Sequence, residues 1–186
     1  FCVFEQKSYM RSDDGSIIRP SDFEDFNFRV SVQIEKQFHQ GVGIVRSIID
    51  KWKDSKKTFR LINRTTLKHD KYPVKVDISI VRSSTINGRN MVPEYRFTNS
   101  GVLESNQIYE IEIEIDNTKV GPGTEFNSAE AIGNAIRKVI KLIMSGIQST
   151  NYPVSYTEQN LIKSEYMELL GNEKKPKYYI KNRNFV

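Results

Sequence analysis

Hydrophobic and polar residues alternate strictly in one stretch near the middle of the chain, from Tyr109 to Ile115. Because successive side chains of a strand point to opposite faces, Glu110, Glu112 and Glu114 share one face and the aliphatic residues share the other. Carboxylates two positions apart lie roughly 6.7 Å apart and repel by about 0.6 kcal/mol in water, or about 2.5 kcal/mol at an effective dielectric constant near 20. Such a column is tolerated in bulk solvent, whereas an enclosed position requires cations.

Three earlier segments show the same alternation and are predicted to be strands: Phe28 to Glu35, Thr58 to Leu67, and Val74 to Val81. The connection between the last two is short, which predicts an antiparallel hairpin. This hairpin places four charged residues on one polar face: Arg60, Arg64, Lys75 and Asp77.

Helical periodicity predicts a helix ending near Lys53 and two later helices, at residues 128–147 and 157–170. Ser128 and Thr157 are the expected N-caps of the two later helices. We expect these helices to cover the aliphatic faces of the strands, and Trp52 and Tyr109 to lie in the core. The charged faces then point either to solvent or to the inside of a curved or closed sheet. The expected fold is α+β, with a mainly antiparallel sheet closed or nearly closed into a polar tunnel and helices packed outside.

Composition narrows the class of protein. The chain has 186 residues, is 38% hydrophobic and carries a net charge of +5, which suits a folded domain and is compatible with a polyanionic partner. It contains no apolar run of the roughly 20 residues that a membrane helix needs, so we expect no membrane association. The single cysteine, Cys2, excludes an internal disulfide and a cysteine-rich zinc site, and favours an intracellular setting. We assign residues 1–170 to one domain and 171–186 to a linker or the start of a downstream domain.

Strands with opposite charges suit a phosphate chain bound together with a divalent metal. Mg²⁺ and Mn²⁺ prefer carboxylate oxygens and bridge to phosphate oxygens. The planar fork of arginine matches phosphate geometry. Two other interpretations remain open from the residues alone: a solvated face of an ordinary antiparallel sheet, and cross-strand ion pairs between the basic residues and the glutamates.

Three segments, in this order, resemble a known family: Phe59 to Leu67, Val74 to Val81, and Tyr109 to Ile115. They look like the RNA 5′-triphosphatase module of mRNA capping enzymes from large DNA viruses, a triphosphate tunnel metalloenzyme. The resemblance runs from about Phe28 to about Leu170. It implies a hydrolase acting on phosphoric anhydrides, which removes the γ-phosphate of 5′-triphosphate RNA with Mg²⁺ or Mn²⁺ as the first step of cap formation.

The resemblance also implies partners, a location and residue roles. Guanylyltransferase and methyltransferase domains would belong to the same or an associated chain, in the host cytoplasm (a viral factory) or the virion. Asp77 would orient water or a basic neighbour. The implied metal ligands are Glu110, Glu112 and Glu114. The implied phosphate ligands are Arg29, Arg60, Arg64 and Lys75.

The chain departs from the family pattern at two places. Ile62 stands where the family has a lysine between the two arginines of its basic strand. The family's first strand carries a Glu-x-Glu pair, half of its metal site, whereas Glu5 has no second glutamate two positions away. We therefore expect that strand upstream of Phe1, or an inactive module. Two alternative functions stay open: a nucleoside triphosphatase or polyphosphatase of the same fold, and a non-catalytic nucleic-acid-binding or scaffold domain.

Overall fold

The structure, a computed structural model, describes residues 2–169. Its strands and α-helices follow in this order: β1 (Phe4–Tyr9), β2 (Ser21–Phe23), β3 (Phe28–Val30), β4 (Gln33–Phe38), α1 (Gly43–Asp50), β5 (Arg60–Lys68), β6 (Val74–Ser83), β7 (Ile86–Asn87), β8 (Asn90–Met91), β9 (Ile108–Ile115), α2 (Ala129–Gln148) and α3 (Tyr156–Leu169). Within these residues, none of the helices has the length and apolar character needed to cross a bilayer. The tail assigned to a linker lies outside the described residues.

The largest sheet has the strand order β5-β6-β9 and is antiparallel throughout. The predicted hairpin of β5 and β6 is confirmed, with Arg60 opposite Ser83 and Lys68 opposite Lys75. The glutamate strand β9 pairs with the other edge of β6, from Val74 opposite Ile115 to Val81 opposite Ile108. The middle strand, β6, therefore lies between β5, which is rich in basic residues, and β9, which is rich in carboxylates.

The predicted closure of the sheet into a tunnel is wrong. The fold is α+β, and the strands of the described residues form small antiparallel sheets of two or three strands, none of which closes. The early strands pair among themselves, β1 with β4 and β2 with β3, instead of extending the central sheet. Alternation fixes which side chains share a face, but it says nothing of how many strands join edge to edge, so closure did not follow from it.

The aliphatic face of the central sheet is more exposed than expected, whereas the centre of its polar face is buried. On the aliphatic face, Ile78 and Ile111 are each 41% exposed and Tyr109 is 72% exposed. On the polar face, Asp77 is 3% exposed and Ser79 is fully buried. The expected core positions of Tyr109 and of Trp52, which is 53% exposed, are therefore wrong. Both buried residues of the polar face accept hydrogen bonds from Arg64 of the neighbouring strand.

The chain divides into two compact units. The first consists of the described residues up to Gln6 together with Glu35–Ile136, and it contains the central sheet. The second consists of Lys7–Ile34 and the described residues from Arg137 onward. Within the second unit, Asp25 accepts hydrogen bonds from the backbone N–H and the hydroxyl of Thr157, which lower the pKa of Asp25. The N-cap of α3 is Ser155, whose Oγ accepts from the N–H of Glu158, and the cap predicted at Thr157 is wrong.

Candidate metal and phosphate site

Seven of the eight residues implied as ligands or catalyst lie on one face of the central sheet. We call this surface the charged face and define it by these residues: Arg60, Arg64, Lys75, Asp77, Glu110, Glu112 and Glu114. The antiparallel register produces it, since Lys75 lies opposite Glu114 and Asp77 lies opposite Glu112. A period of two then brings Arg60 and Arg64 of β5 to the same side. Their placement on one face is thus a consequence of strand pairing.

Asp77 is the buried centre of the charged face. Its Oδ2 accepts from Nη1 of Arg64 at 3.0 Å, and its Oδ1 accepts from the hydroxyl of Thr66. Arg64 also donates from Nε to Ser79 Oγ at 3.0 Å and from Nη2 to Glu112. A buried carboxylate is stable only when it is paired and hydrogen-bonded. One arginine therefore neutralises Asp77 and links it to the glutamate strand.

Two further ion pairs flank this centre. Nη2 of Arg60 lies 2.7 Å and 2.6 Å from the two carboxylate oxygens of Glu110. Nζ of Lys75 lies 2.7 Å from Oε2 of Glu114. The Glu114 carboxylate raises the pKa of Lys75 against the opposing effect of burial, and Asp77 adds to the increase. Lys75 is consequently charged at neutral pH.

Three carboxylates of the charged face converge closely enough to hold one metal ion. Asp77, Glu112 and Glu114 each offer one oxygen, and these oxygens lie within 4.8 Å of one another. Adjacent ligands of an octahedral Mg²⁺ site lie about 2.9 Å apart, so the three oxygens would have to move closer together to share this ion. Hard carboxylate oxygens are also the donors that Mg²⁺ and Mn²⁺ prefer. Glu110 lies one step further along the strand, outside this carboxylate cluster.

Sequence reasoning missed two charged residues that continue the same series. Lys68 lies opposite Lys75 at the end of β5, and its Nζ is 3.2 Å from Oδ2 of Asp116. Asp116 also accepts from the hydroxyl of Thr118 at 2.6 Å and from its N–H at 3.1 Å. These hydrogen bonds, together with Lys68, lower the pKa of Asp116 to about 2. The sequence did point to both residues, because Lys68 and Asp116 each lie two positions after the last polar residue that was predicted to share this face.

Arg29 is the implied phosphate ligand that is not part of the charged face. It lies on β3 in the second unit, directly opposite Asp22. Its Nε donates to Oδ1 and its Nη2 donates to Oδ2 of Asp22 at 2.9 Å. This pairing raises the pKa of Arg29 and lowers that of Asp22.

Ile62 occupies the position where the family has a basic residue, and the register explains what it does instead. It lies opposite Val81, which in turn lies opposite Ile108. An apolar row therefore crosses the sheet between the levels of Arg60 and Arg64, and Val81 is fully buried there. The carboxylate cluster lies on the Arg64 side of this row, and the Arg60–Glu110 ion pair spans the row.

The relation of the chain to known proteins adds no constraint to this geometry. Comparison with protein-family models, with curated proteins and with solved structures gave no match.

Proposed function

We propose that the protein is a metal-dependent RNA 5′-triphosphatase that hydrolyses the γ-phosphate of 5′-triphosphate RNA at the charged face. The observation that carries this proposal is the convergence of Asp77, Glu112 and Glu114 within 4.8 Å, beside the guanidinium of Arg64 and the ammonium of Lys75. A triphosphate needs both kinds of group, since its metal requires oxygen ligands and its phosphate oxygens require cations. The resemblance of three sequence segments to the viral triphosphatase module supports the same choice of substrate.

Six of the seven residues of the charged face have a role in this proposal. Arg60, Arg64 and Lys75 stabilise negative charge on the phosphate oxygens, where arginine's fork gives orientation as well as charge. Asp77 accepts from Arg64 and Thr66, so it holds the arginine in place until the metal and the substrate bind. Glu112 and Glu114 join Asp77 as ligands of Mg²⁺ or Mn²⁺. An ion held by these carboxylates would polarise the phosphoryl group and lower the pKa of the attacking water.

Substrate binding in this proposal is an exchange of partners. Arg64 pairs with Asp77 and Glu112, and Lys75 pairs with Glu114. Carboxylates that turn to a metal release these cations for phosphate oxygens. The pairs keep the charged side chains ordered before substrate arrives, which lowers the entropy cost of binding.

The same ion pairs favour one competing candidate, a non-catalytic domain whose charged face is only cross-strand pairing. Mutually neutralised arginines and glutamates stabilise a sheet without any ligand. This candidate predicts no hydrolysis. A nucleoside triphosphatase or polyphosphatase predicts hydrolysis without preference for RNA.

Release of labelled phosphate separates the three candidates. The substrates are γ-labelled triphosphate RNA, ATP and tripolyphosphate, each with and without Mn²⁺. We expect Mn²⁺-dependent release that is fastest from RNA and that falls about 10²-fold or more in Glu112→Gln, because a ligand of the metal is lost. Glu104→Gln, a change of the same kind at an exposed loop position, is the matched control and should behave as wild type. Absence of metal-dependent release from all three substrates by the full-length protein would refute the enzymatic proposal.

A further inference from the structure

Two half-exposed aromatic rings, one before β5 and one after β8, lie next to lysines of the segment that leads into β5. Trp52 is 53% exposed and Tyr95 is 48% exposed. Nζ of Lys57 lies 4.6 Å from the centroid of the Trp52 ring, and Nζ of Lys56 lies 5.4 Å from that of Tyr95. We call Trp52, Lys56, Lys57 and Tyr95 the aromatic-basic patch.

The patch is held together by one lysine and one pair of backbone hydrogen bonds. Nζ of Lys57 donates to the carbonyl oxygens of Trp52, Ser55 and Tyr95, the last at 3.0 Å. The backbones of Lys57 and Glu94 exchange two hydrogen bonds of 2.9 Å, which bring the two chain segments side by side. The backbone beside each ring is therefore held in place by Lys57. The exposed surface of the two rings is available to a flat partner.

The patch adjoins the charged face along the chain. Lys57 precedes Arg60 by three residues, a distance of about 10 Å at most for extended backbone. Phe59 lies between them, with its ring 5.9 Å from Nζ of Lys57, and its N–H donates to Ser84 Oγ at the end of the β5–β6 pair. Arg60 therefore lies within about 10 Å of the backbone that carries the patch.

Charge and ring chemistry together indicate the class of ligand. Basic residues outnumber acidic ones around the rings: Lys51, Lys53, Lys56, Lys57 and Arg96 against Asp50, Asp54 and Glu94. Aromatic side chains that stack bases, beside cations that contact the backbone phosphates, are the recurring design of single-strand binding surfaces. Lysine is depleted at the centres of protein–protein interfaces, so alternating rings and lysines fit a peptide partner less well.

We propose that the aromatic-basic patch binds the single-stranded RNA that follows the 5′-triphosphate, with bases stacked on Trp52 and Tyr95. This inference rests on the proposed function for the position of the triphosphate, and it explains how RNA would be preferred over a free nucleotide. The docking itself requires no triphosphate. It can therefore be tested on RNA that is not a substrate.

Trp52 is the single tryptophan of the chain, so its fluorescence reports stacking at the patch directly. The probe is a single-stranded 5′-hydroxyl RNA about as long as the smaller single-strand binding sites, 4–16 nucleotides. We expect this RNA to quench Trp52 emission as it binds, and Tyr95→Ala to weaken binding by roughly 5- to 150-fold, the equivalent of one lost stacking contact. Tyr95→Phe should restore binding, since it keeps the ring. Tyr152→Ala, at a tyrosine with 59% exposure in the second unit, is the matched control and should bind as wild type.

Polyanions without bases separate stacking from charge attraction. Tripolyphosphate and heparin should leave Trp52 emission unchanged even where they bind. RNA binding without quenching, equal quenching by heparin, or equal affinity of Tyr95→Ala and wild type would each overturn the proposal, as would a complete lack of RNA binding. A failure of phosphate release leaves these results intact, because the probe carries no γ-phosphate. Conversely, Tyr95→Ala should raise KM for triphosphate RNA more than KM for tripolyphosphate.

Discussion

The sharpest structural prediction concerns the unequal strengths of two ion pairs on the same face. Arg64 pairs with Asp77, whose side chain is only 5% exposed. Arg60 pairs with Glu110, and both of these side chains are about one third exposed. Because water screens the second pair but not the carboxylate of the first, replacing either arginine by methionine should have very different effects on the free energy of unfolding.

The magnitude follows from burial. Removing the partner of a fully buried charge costs about 3–5 kcal/mol, whereas an exposed pair contributes about 0.2–1 kcal/mol. Arg64 is 36% exposed, and Thr66 still donates to Asp77 when Arg64 is lost. We therefore expect the loss of Arg64 to cost less than the first range, about 2 kcal/mol. Arg64 also contacts Glu112 and Ser79, and a double-mutant cycle removes those contributions.

The assay is urea unfolding followed by Trp52 fluorescence, since Trp52 lies in the same unit as the central sheet. One cycle combines Arg64→Met with Asp77→Asn, and the matched cycle combines Arg60→Met with Glu110→Gln. We expect a coupling energy near 2 kcal/mol for the first cycle and below about 1 kcal/mol for the second. Equal coupling energies in the two cycles would contradict the buried position of Asp77.

Three further changes test the electrostatics and the backbone around the sheet. The carboxylate neighbour of Lys75 raises its pKa above 10.5, so Lys75 contributes stability that is fully present below pH 10.5 and is lost as pH rises through the raised pKa. In Lys75→Met, the free energy of unfolding should therefore fall less steeply at alkaline pH than in wild type. Asp116, whose pKa is lowered from 3.8 to about 2, contributes stability above pH 3.8 that is lost as pH falls towards 2, so Asp116→Asn should flatten the acid limb of stability against pH. Gly101 has φ +70°, and a Cβ there would lie 2.4 Å from Oγ1 of Thr85. Gly101→Ala should therefore lower the free energy of unfolding by about 1–3 kcal/mol in the same urea experiment. Gly41→Ala is the control, because a Cβ at Gly41 would have nothing within 4 Å.

The strands of the central sheet followed from the sequence because their two-residue period is strong and uninterrupted. Alternation predicted β5, β6 and β9 to within a few residues, and the short turn predicted the β5–β6 hairpin. The predicted strand from Phe28 to Glu35 is instead divided into β3 and β4, which have different partners. Local alternation cannot distinguish one strand from two, since it carries no information on which edges pair.

The candidate site was predictable in its membership and not in its internal arrangement. The two-residue period of side chains in a strand was enough to bring arginines, a lysine and glutamates to one face. The separation of Glu110 from the carboxylate cluster depends on the register of β9 against β6, which puts Glu112 opposite Asp77. The exposure of Trp52 depends on the contacts of Lys57 with three backbone carbonyls. Neither register nor such contacts can be read from a periodic pattern.

The most direct test of the proposed metal site is Mn²⁺ binding, measured by the electron paramagnetic resonance signal of the free ion. Wild type is compared with Glu112→Gln and with Glu110→Gln, which remove the same charge from the same face of the same strand. We expect Glu112→Gln to weaken Mn²⁺ binding by at least about ten-fold, since losing a ligand costs no less than losing an outer partner. Glu110→Gln, outside the carboxylate cluster, should change the affinity by less than about two-fold, as expected for a screened surface charge. Equal losses in the two variants, or no Mn²⁺ binding by wild type, would contradict a metal site at Asp77, Glu112 and Glu114.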